Sequence, residues 1–351
     1  MAHFPTPVAM SDSCLLPEFD AAQTADIAQR LFALQGPMKL LHGERDLNYL
    51  ISDVRGKFVF KIANADESPD MLDCQHQVFE RLQCEQVFPL VACALESING
   101  KQIETVWDTH GRKHYCRVLP FLEGRMWSEI QISSSELLQD LGSNLARLDG
   151  ALTGFSHPGL ERPLLWNMET TGVGLGAYKP LLANDDERSL VEHFERGFLT
   201  RMTPVQGQLR RGVIHNDANR ENVIVNDNGS RVISIIDFGD MIHAWLVLEP
   251  GIAATYAMLE QPDPMASARA VVHGYHQNMA LTETEIGLLF DLIGMRLCTS
   301  VCLCAHQQRL EPDNAYLSID VQQSWDLLRK LESIAWTEAR DMLMTACCST
   351  G

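Results

Sequence analysis

Two apolar runs joined by a short polar turn constrain this chain more than anything else in it. They are Val213-Ile-His-Asn-Asp-Ala-Asn-Arg-Glu-Asn-Val-Ile-Val225 and Val232-Ile-Ser-Ile-Ile-Asp-Phe-Gly-Asp240. Asp227, Asn228 and Gly229 supply the turn chemistry of a hairpin, so both runs read as β-strands. A hairpin alone does not require the polar groups that the strands deliver. His215, Asp217 and Asn222 belong to the first run, and Asp237-Phe238-Gly239 to the second.

That set of groups suits phosphoryl transfer, where charge crowding makes most of the barrier. One carboxylate must orient and deprotonate an attacking hydroxyl, and Asp217 is the candidate. Hard oxygens must hold Mg²⁺ against phosphates, and Asn222 and Asp237 offer them from two adjoining backbone segments. His215 reads as an organiser of the loop rather than a catalyst. The spacing His-x-Asp-x-x-x-x-Asn followed by Asp-Phe-Gly resembles the catalytic loop and metal-binding motif of kinases.

A chain of 351 residues suggests two lobes. Its formal charge of -18 argues against a nucleic-acid partner and suits a cationic small-molecule substrate. The ten cysteines form no Cys-x-x-Cys pair; Cys298, Cys302 and Cys304 lie in an apolar segment, as reduced cysteines do. Such usage points to a reducing, cytoplasmic compartment. The stretch from Met1 to Pro17 has no Lys or Arg and no long apolar core, so no secretory signal is expected. Nor does any run read as a membrane span of about 18 apolar residues.

In chain order, a helix is expected from Phe19 to Gln35, capped by Asp20 and stopped by Gly36. A strand over Lys39 to His42 runs into a polar loop containing Arg45, Asp46 and Asn48. Lys57 to Ile62 is the next strand and carries Lys61, ahead of a helix opened by Ser68-Pro69 with Met71, Leu72, Val78, Phe79 and Leu82 on its buried face. Val87 to Ala94, a turn at Asn99-Gly100, and Lys113 to Phe121 complete an antiparallel sheet. Gly124 frees the chain to turn. Helices follow from Ser134 to Leu148 and Asp185 to Thr200, separated by an irregular segment with His157-Pro158 and Arg162 to Asn167. Gly172 to Gly176 lacks dinucleotide-loop spacing and reads as a loop.

Arg45-Asp-Leu-Asn48, Val59-Phe-Lys-Ile62, Arg117-Val-Leu-Pro-Phe-Leu-Glu-Gly124, Leu165-Trp166, the two hairpin motifs, Arg296 to Val301 and Glu311 to Leu317 together resemble the aminoglycoside phosphotransferase-like small-molecule kinases. Within that superfamily the chain is most similar to the hydroxylysine kinase group. The resemblance implies an α+β, bilobal protein-kinase-like fold: a small antiparallel β-sheet lobe over residues 1–118, a hinge at 119–124, and a mostly helical large lobe over 125–351. It implies Lys61, Arg45 and Asn48 at the nucleotide phosphates and backbone groups near Leu119 and Phe121 at the purine edge. A glutamate on the helix after Lys61 pairs with that lysine in kinases; Asp73, Gln75 and Glu80 are all available here. The implied reaction moves the γ-phosphoryl of ATP or GTP, with Mg²⁺, to a hydroxyl of an amine-bearing molecule, 5-hydroxylysine first among them. Asn216 and Ala218 stand where many relatives have Gly and Leu.

After Asp237 the chain passes quickly towards a helix over Ile252 to Leu259, leaving no room for a peptide-docking segment. Asp240 and Glu249 are candidates for an acidic substrate pocket, Glu249 equally for a helix cap, and Trp166 for a pocket wall. Further helices are expected over Met265 to Met279, Glu283 to Gln308 and Val321 to Cys347, with Thr282 and Asp320 as caps. Arg296, inside an apolar segment, must meet a substrate carboxylate or an internal one. A nucleotide-binding regulator of the same fold is the alternative to an enzyme, and the intact trio Asp217, Asn222 and Asp237 favours the enzyme.

Overall fold

The computed structural model describes residues 16–41, 43, 45–170, 175–310 and 316–348, with backbone only at 316–320. The expectations placed on the first fifteen residues, His42, residues 172–174, residues 311–315 and the Asp320 cap lie outside the described residues. The chain forms two compact units, one of residues up to Glu123 plus Ser156–Glu161, the other of Gly124–Phe155 and Arg162 onward. The short return segment therefore belongs with the small unit rather than with everything after the turn.

The small unit is a five-stranded sheet with two helices. Helix α1 (Ala21–Phe32) starts at Asp20, whose side chain accepts from the Gln23 amide while Gln23 answers in a capping box. It ends three residues earlier than expected, because Ala33 takes the left-handed conformation (φ 51°). Strands β1 (Met38–Leu41), β2 (Leu47–Asp53), β3 (Gly56–Ile62), β4 (Glu104–Trp107) and β5 (Lys113–Pro120) pair in the order β1-β2-β3-β5-β4. Val87 to Ala94 is not a strand. Pro89 has no amide to donate, and the segment joins β5 through Leu95 N–H to Val118 O at 2.9 Å.

Pairing sorts the side chains by face. Phe60 stands opposite Tyr49 and Val118, and Ile62 opposite Leu47 and Cys116. Phe60, Ile62, Cys116 and Val118, with Leu47 against them, pack with Ile27, Leu31 and Phe32 of α1. Fully burying a side chain such as Phe60 stabilises the unit by about 2 kcal/mol. The opposite face carries the row Asn48, Lys61 and Arg117. Helix α2 (Pro69–Cys84), capped by Ser68, buries the expected Met71, Leu72, Val78, Phe79 and Leu82 and sends Gln75 to Arg117.

The large unit holds two small sheets and seven named helices. Strand β6 (Arg125–Met126) pairs with β8 (Val223–Val225), which pairs with β9 (Val232–Ile235); β7 (Arg211–Ile214) pairs with β10 (Ile242–Trp245). The expected hairpin is thus β8-β9, turned at Gly229, whose amide donates to Asn226 O. Helix α3 (Ser135–Ala151) starts at the Ser134 cap and crosses α6 (Pro264–Asn278) at backbone contact. A Cβ at Gly142 would lie 2.0 Å from Val271 O, and one at Gly274 would lie 1.9 Å from Gln139 O. Nothing larger than glycine fits either place. Helix α4 (Asp185–Met202) is capped by Asn184, and α5 (Leu248–Met258) starts four residues before the expected Ile252.

Helix α7 (Glu283–Leu310) corrects the expectation about membrane spans. It is long and apolar enough to cross a membrane, yet 83% of its most apolar window is buried inside the protein. Its buried charges are all paired: Asp291 accepts from Arg201 Nε and Nη2 at 2.7 and 2.5 Å, and Glu285 from Arg210 at 2.9 and 2.6 Å. Arg296 is taken up below. The expected last helix is two, α8 (Tyr316–Glu332) and α9 (Trp336–Cys348). At the break the Ser333 hydroxyl donates to Lys330 O at 2.7 Å, a local bond that competes with helix continuation.

Candidate active site

At the mouth of the β8-β9 hairpin, Ile236 N–H donates to Asn222 O at 2.8 Å. This bond puts Asn222 and Asp237 side by side. Asp237 takes a left-handed backbone (φ 60°, ψ 69°), which turns the chain into Phe238-Gly239, and its Oδ1 accepts from Gly239 N–H at 3.3 Å. Asn222 reaches back to Asp217, its Nδ2 donating to Asp217 Oδ2 at 2.8 Å and to the Asp217 carbonyl at 2.9 Å. With the amide nitrogen so engaged, its Oδ1 points away from Asp217. Asn219, which the motif reading passed over, also donates to Asp217 Oδ2, at 3.0 Å. Its signal was in plain sight, an amide two residues beyond the candidate base.

Asp217 is therefore held on both oxygens. Oδ1 accepts from Arg296 Nη2 at 3.0 Å, while the Asp217 side chain keeps 21% of its surface and Arg296 keeps 1%. Burial pushes the Asp217 carboxyl up to about 8; Arg296 opposes that, and the charges of Asp240 and Asp237 add to it. The sequence-named Asp217, Asn222, Asp237 and Asp240 are thus brought together. Asp240 itself is 9% exposed.

The loop is fixed from behind. His215 is fully buried, its Nε2 at 3.0 Å from Ile236 O and its Nδ1 accepting from Asp217 N–H at 3.3 Å. Those bonds suit the neutral ring protonated at Nε2, and burial lowers the imidazole's tendency to charge. Phe238 packs on the ring edge to face at 4.7 Å. Asn216 sits at φ 68°, a left-handed position that asparagine tolerates.

Glu249 is corrected from a pocket or cap residue to a buried brace. It is 0% exposed, within the first turn of α5, and its Oε2 accepts from the amides of His215 and Asn216 at 2.5 and 3.2 Å. Burial raises its pKa, and burial and the charge of Glu249 raise that of Asp149, whose Oδ2 accepts a hydrogen bond from the Tyr275 hydroxyl at 2.6 Å. No sequence pattern foretells this, because Glu249 meets its partners 34 and 33 residues away.

Arg296 pairs internally, as one of its two expected fates. Tyr256, unforeseen, accepts from its Nη2 at 2.9 Å and its Nε at 3.3 Å, and the Trp166 ring lies 4.6 Å from the guanidinium carbon. Trp166 is thus a wall over Arg296.

In the small unit, Lys61 Nζ lies 3.6 Å from Asp46 Oδ2. Among the described residues, none of the three expected partners on α2 pairs with Lys61: Gln75 serves Arg117 at 2.6 Å and Asp73 meets His157 at 3.1 Å. Asn48 stands opposite Lys61 across the sheet, and Arg45 is an exposed residue of the bend before β2. Leu119 lies opposite Val59 at the end of β5. Phe121 N–H is committed to Lys57 O at 2.9 Å, so that amide is not available to a purine.

The donor set beside the hairpin fits a hard divalent cation. An amide oxygen directed away from Asp217 and a carboxylate on a turned backbone are the oxygen ligands Mg²⁺ takes alongside phosphate and water.

The model of the phosphotransferase enzyme family matches residues 38–284. Hydroxylysine kinase of Mus musculus is 28% identical over 345 residues, covering 92% of this chain and 91% of that protein. Homoserine kinase of Zymomonas mobilis is 28% identical over 268 residues, covering 73% and 75%. Among solved structures, amicoumacin kinase in complex with AMP-PNP, Ca²⁺ and its ligand superposes with a TM-score of 0.68 at 17% identity, covering 91% of this chain and 97% of that one. The fold is therefore the kinase-like one that the motifs implied, and the protein is a phosphotransferase that works on a small molecule with a nucleotide as phosphoryl donor. The chain belongs to the phosphotransferase enzyme family.

Proposed function

We propose that the enzyme moves the γ-phosphoryl of ATP or GTP to a hydroxyl of an amine-bearing small molecule, 5-hydroxylysine being the first candidate. The observation that carries this is the Asp217 carboxylate, steadied by Arg296, Asn219 and Asn222 yet still partly open, beside Asp237 and Asp240. Asp217 orients the acceptor hydroxyl and takes its proton as the oxygen attacks phosphorus. Its raised basicity suits that task. Asn222 and Asp237 would hold Mg²⁺, which would neutralise charge on the transferring phosphates. Within the small unit, Lys61 and Asn48 are the candidates for phosphate contact.

Asp240 favours an ammonium group on the acceptor, as does the net charge of -18. The similarity to hydroxylysine kinase over nearly the whole chain supports that acceptor first. A reducing, cytoplasmic setting is supported by nine free cysteines among the described residues, with Cys74, Cys116, Cys298 and Cys302 buried.

The test is Mg²⁺-dependent release of nucleoside diphosphate from ATP and from GTP across 5-hydroxylysine, homoserine, choline, ethanolamine and an aminoglycoside, with Asp217→Asn as control. Stimulation by one amine-bearing acceptor, lost in the control, is the expected result. Stimulation that survives in Asp217→Asn removes the assigned base, and no stimulation by any acceptor overturns the reading.

A further inference from the structure

Arg296 is the most deeply buried charge in the large unit that touches the candidate base, and its hydrogen bonding is lopsided. Nη2 donates to Asp217 Oδ1 and Tyr256, and Nε to Tyr256. Among the described residues Nη1 has no hydrogen-bond partner, although it is shut off from water. A buried guanidinium edge without a partner is costly, and beside the candidate base an arriving acceptor group is the partner it calls for.

The charges around it define that group. Asp237 and Asp240 both act on Asp217, and Asp217 and Asp240 act on Arg296 as well. An acceptor that entered this cluster with a carboxylate would be repelled by the three acids unless a cation met it. Arg296 is placed to be that cation: Nη2 keeps Asp217, and Nη1 is at the next corner of the same planar fork, a geometry that serves two carboxylates at once. Trp166 over the guanidinium face and Tyr256 at 5.5 Å hold the plane of the fork. Trp166 lies on an irregular loop and is only half-buried, the open side of this arrangement.

We infer that Arg296, through Nη1, recognises a carboxylate on the acceptor, so that the enzyme selects hydroxy-amino acids over amino alcohols of the same length. The inference rests on the phosphotransferase reading above and narrows its substrate class. The ammonium end of such an acceptor faces Asp240, its carboxylate faces Arg296, and its hydroxyl comes to Asp217. Each pole of a zwitterion then meets an opposite charge.

Matched acceptors isolate the carboxylate: homoserine against 3-aminopropan-1-ol, and 5-hydroxylysine against 1,5-diaminopentan-2-ol. For each pair, kcat/KM and calorimetric binding to the full chain with a non-hydrolysable nucleotide are measured in the wild type, Arg296→Gln, Arg296→Lys and Tyr256→Phe. The wild type should favour the acid-bearing member by about 10- to 100-fold, the span of a hydrogen bond to a charged group. Arg296→Gln should bring the ratio to near unity, Arg296→Lys should restore only part of it, and Tyr256→Phe should reduce it. If Arg296→Gln does not fold, Tyr256→Phe decides. A wild type that binds both members equally, or binds neither, overturns the inference, as does a variant in which both acceptors fall by the same factor, since Arg296 then acts through Asp217 alone. Failure of the phosphotransferase reading looks different: no acceptor of either kind then stimulates nucleotide turnover.

Discussion

One carboxylate oxygen of Glu249 receives the main-chain amides of His215 and Asn216, at 2.5 and 3.2 Å, and so braces the loop that carries Asp217. Glu249→Ala leaves two buried amides without an acceptor, and should cost about 3 kcal/mol of stability. Turnover should fall by at least about tenfold because the loop is no longer held in place. Glu249→Gln keeps an oxygen for the amides and should recover most of both. Urea denaturation and steady-state kinetics on the same preparations check this; wild-type stability in Glu249→Ala would remove the brace.

Asp217→Asn retains the shape that Arg296, Asn219 and Asn222 hold but not the proton acceptor. We expect kcat to drop by about 10²- to 10⁴-fold, the usual worth of a general base. Nucleotide affinity, measured by fluorescence titration, should change little. A drop in affinity as large as the drop in kcat would mean that Asp217 holds nucleotide rather than activating the acceptor.

Asp237→Ala should act on binding instead. Removing the carboxylate beside Asn222 should weaken affinity for nucleoside diphosphate in the presence of Mg²⁺ by about tenfold or more, and leave affinity without metal nearly unchanged. The readout is calorimetry at several Mg²⁺ concentrations. Identical metal dependence in variant and wild type would exclude Asp237 as a ligand.

Lys61 is held 3.6 Å from Asp46, and both side chains are largely buried. Lys61→Met should raise the apparent KM for nucleotide, by about tenfold if the ammonium contributes one charge-assisted contact to the phosphates. Asp46→Asn should have a smaller effect, because the amide can still accept from Asn64 N–H, which reaches Asp46 Oδ1 at 3.2 Å. Equal KM values in all three proteins would take Lys61 out of the nucleotide site.

Stability should depend on pH through His76. Burial, and then the nearby Arg117 charge, push this imidazole down to about 3, against the opposing pull of Asp73. An unfolded histidine titrates near about 6.5, so between these values the unfolded chain binds a proton that the folded one refuses. Stability is then full above about 6.5 and falls by about 1.4 kcal/mol for each pH unit below it, levelling off near the folded value. His76→Leu should lose that slope. Its stability relative to wild type, from urea denaturation at pH 7, 6 and 5, should rise as pH falls, and parallel profiles would contradict the assignment.

The residues that do chemistry here are close in sequence, and this is why so much was legible. Asp217, Asn222 and Asp237 are positioned by a hairpin whose turn and apolar strands are local signals, so their grouping follows from the sequence alone. The caps at Asp20, Ser68 and Ser134 are local too, and fall where the pattern places them. Val87 to Ala94 was misread because its apolar composition suits a strand, while Pro89 and the absence of a paired neighbour decide otherwise. The break at Ser333 is likewise invisible to helical periodicity.

What only the tertiary structure decided are partners drawn from distant elements. Arg296 meets Asp217 across 79 residues, Glu249 meets His215 across 34, and Gln75 takes Arg117 across 42, leaving Lys61 with Asp46. A sequence shows that a buried charge needs an opposite charge or a hydrogen bond, because desolvation makes a solitary one too costly. It does not say which one, since that depends on which elements the packing of helices and sheets brings within three ångströms.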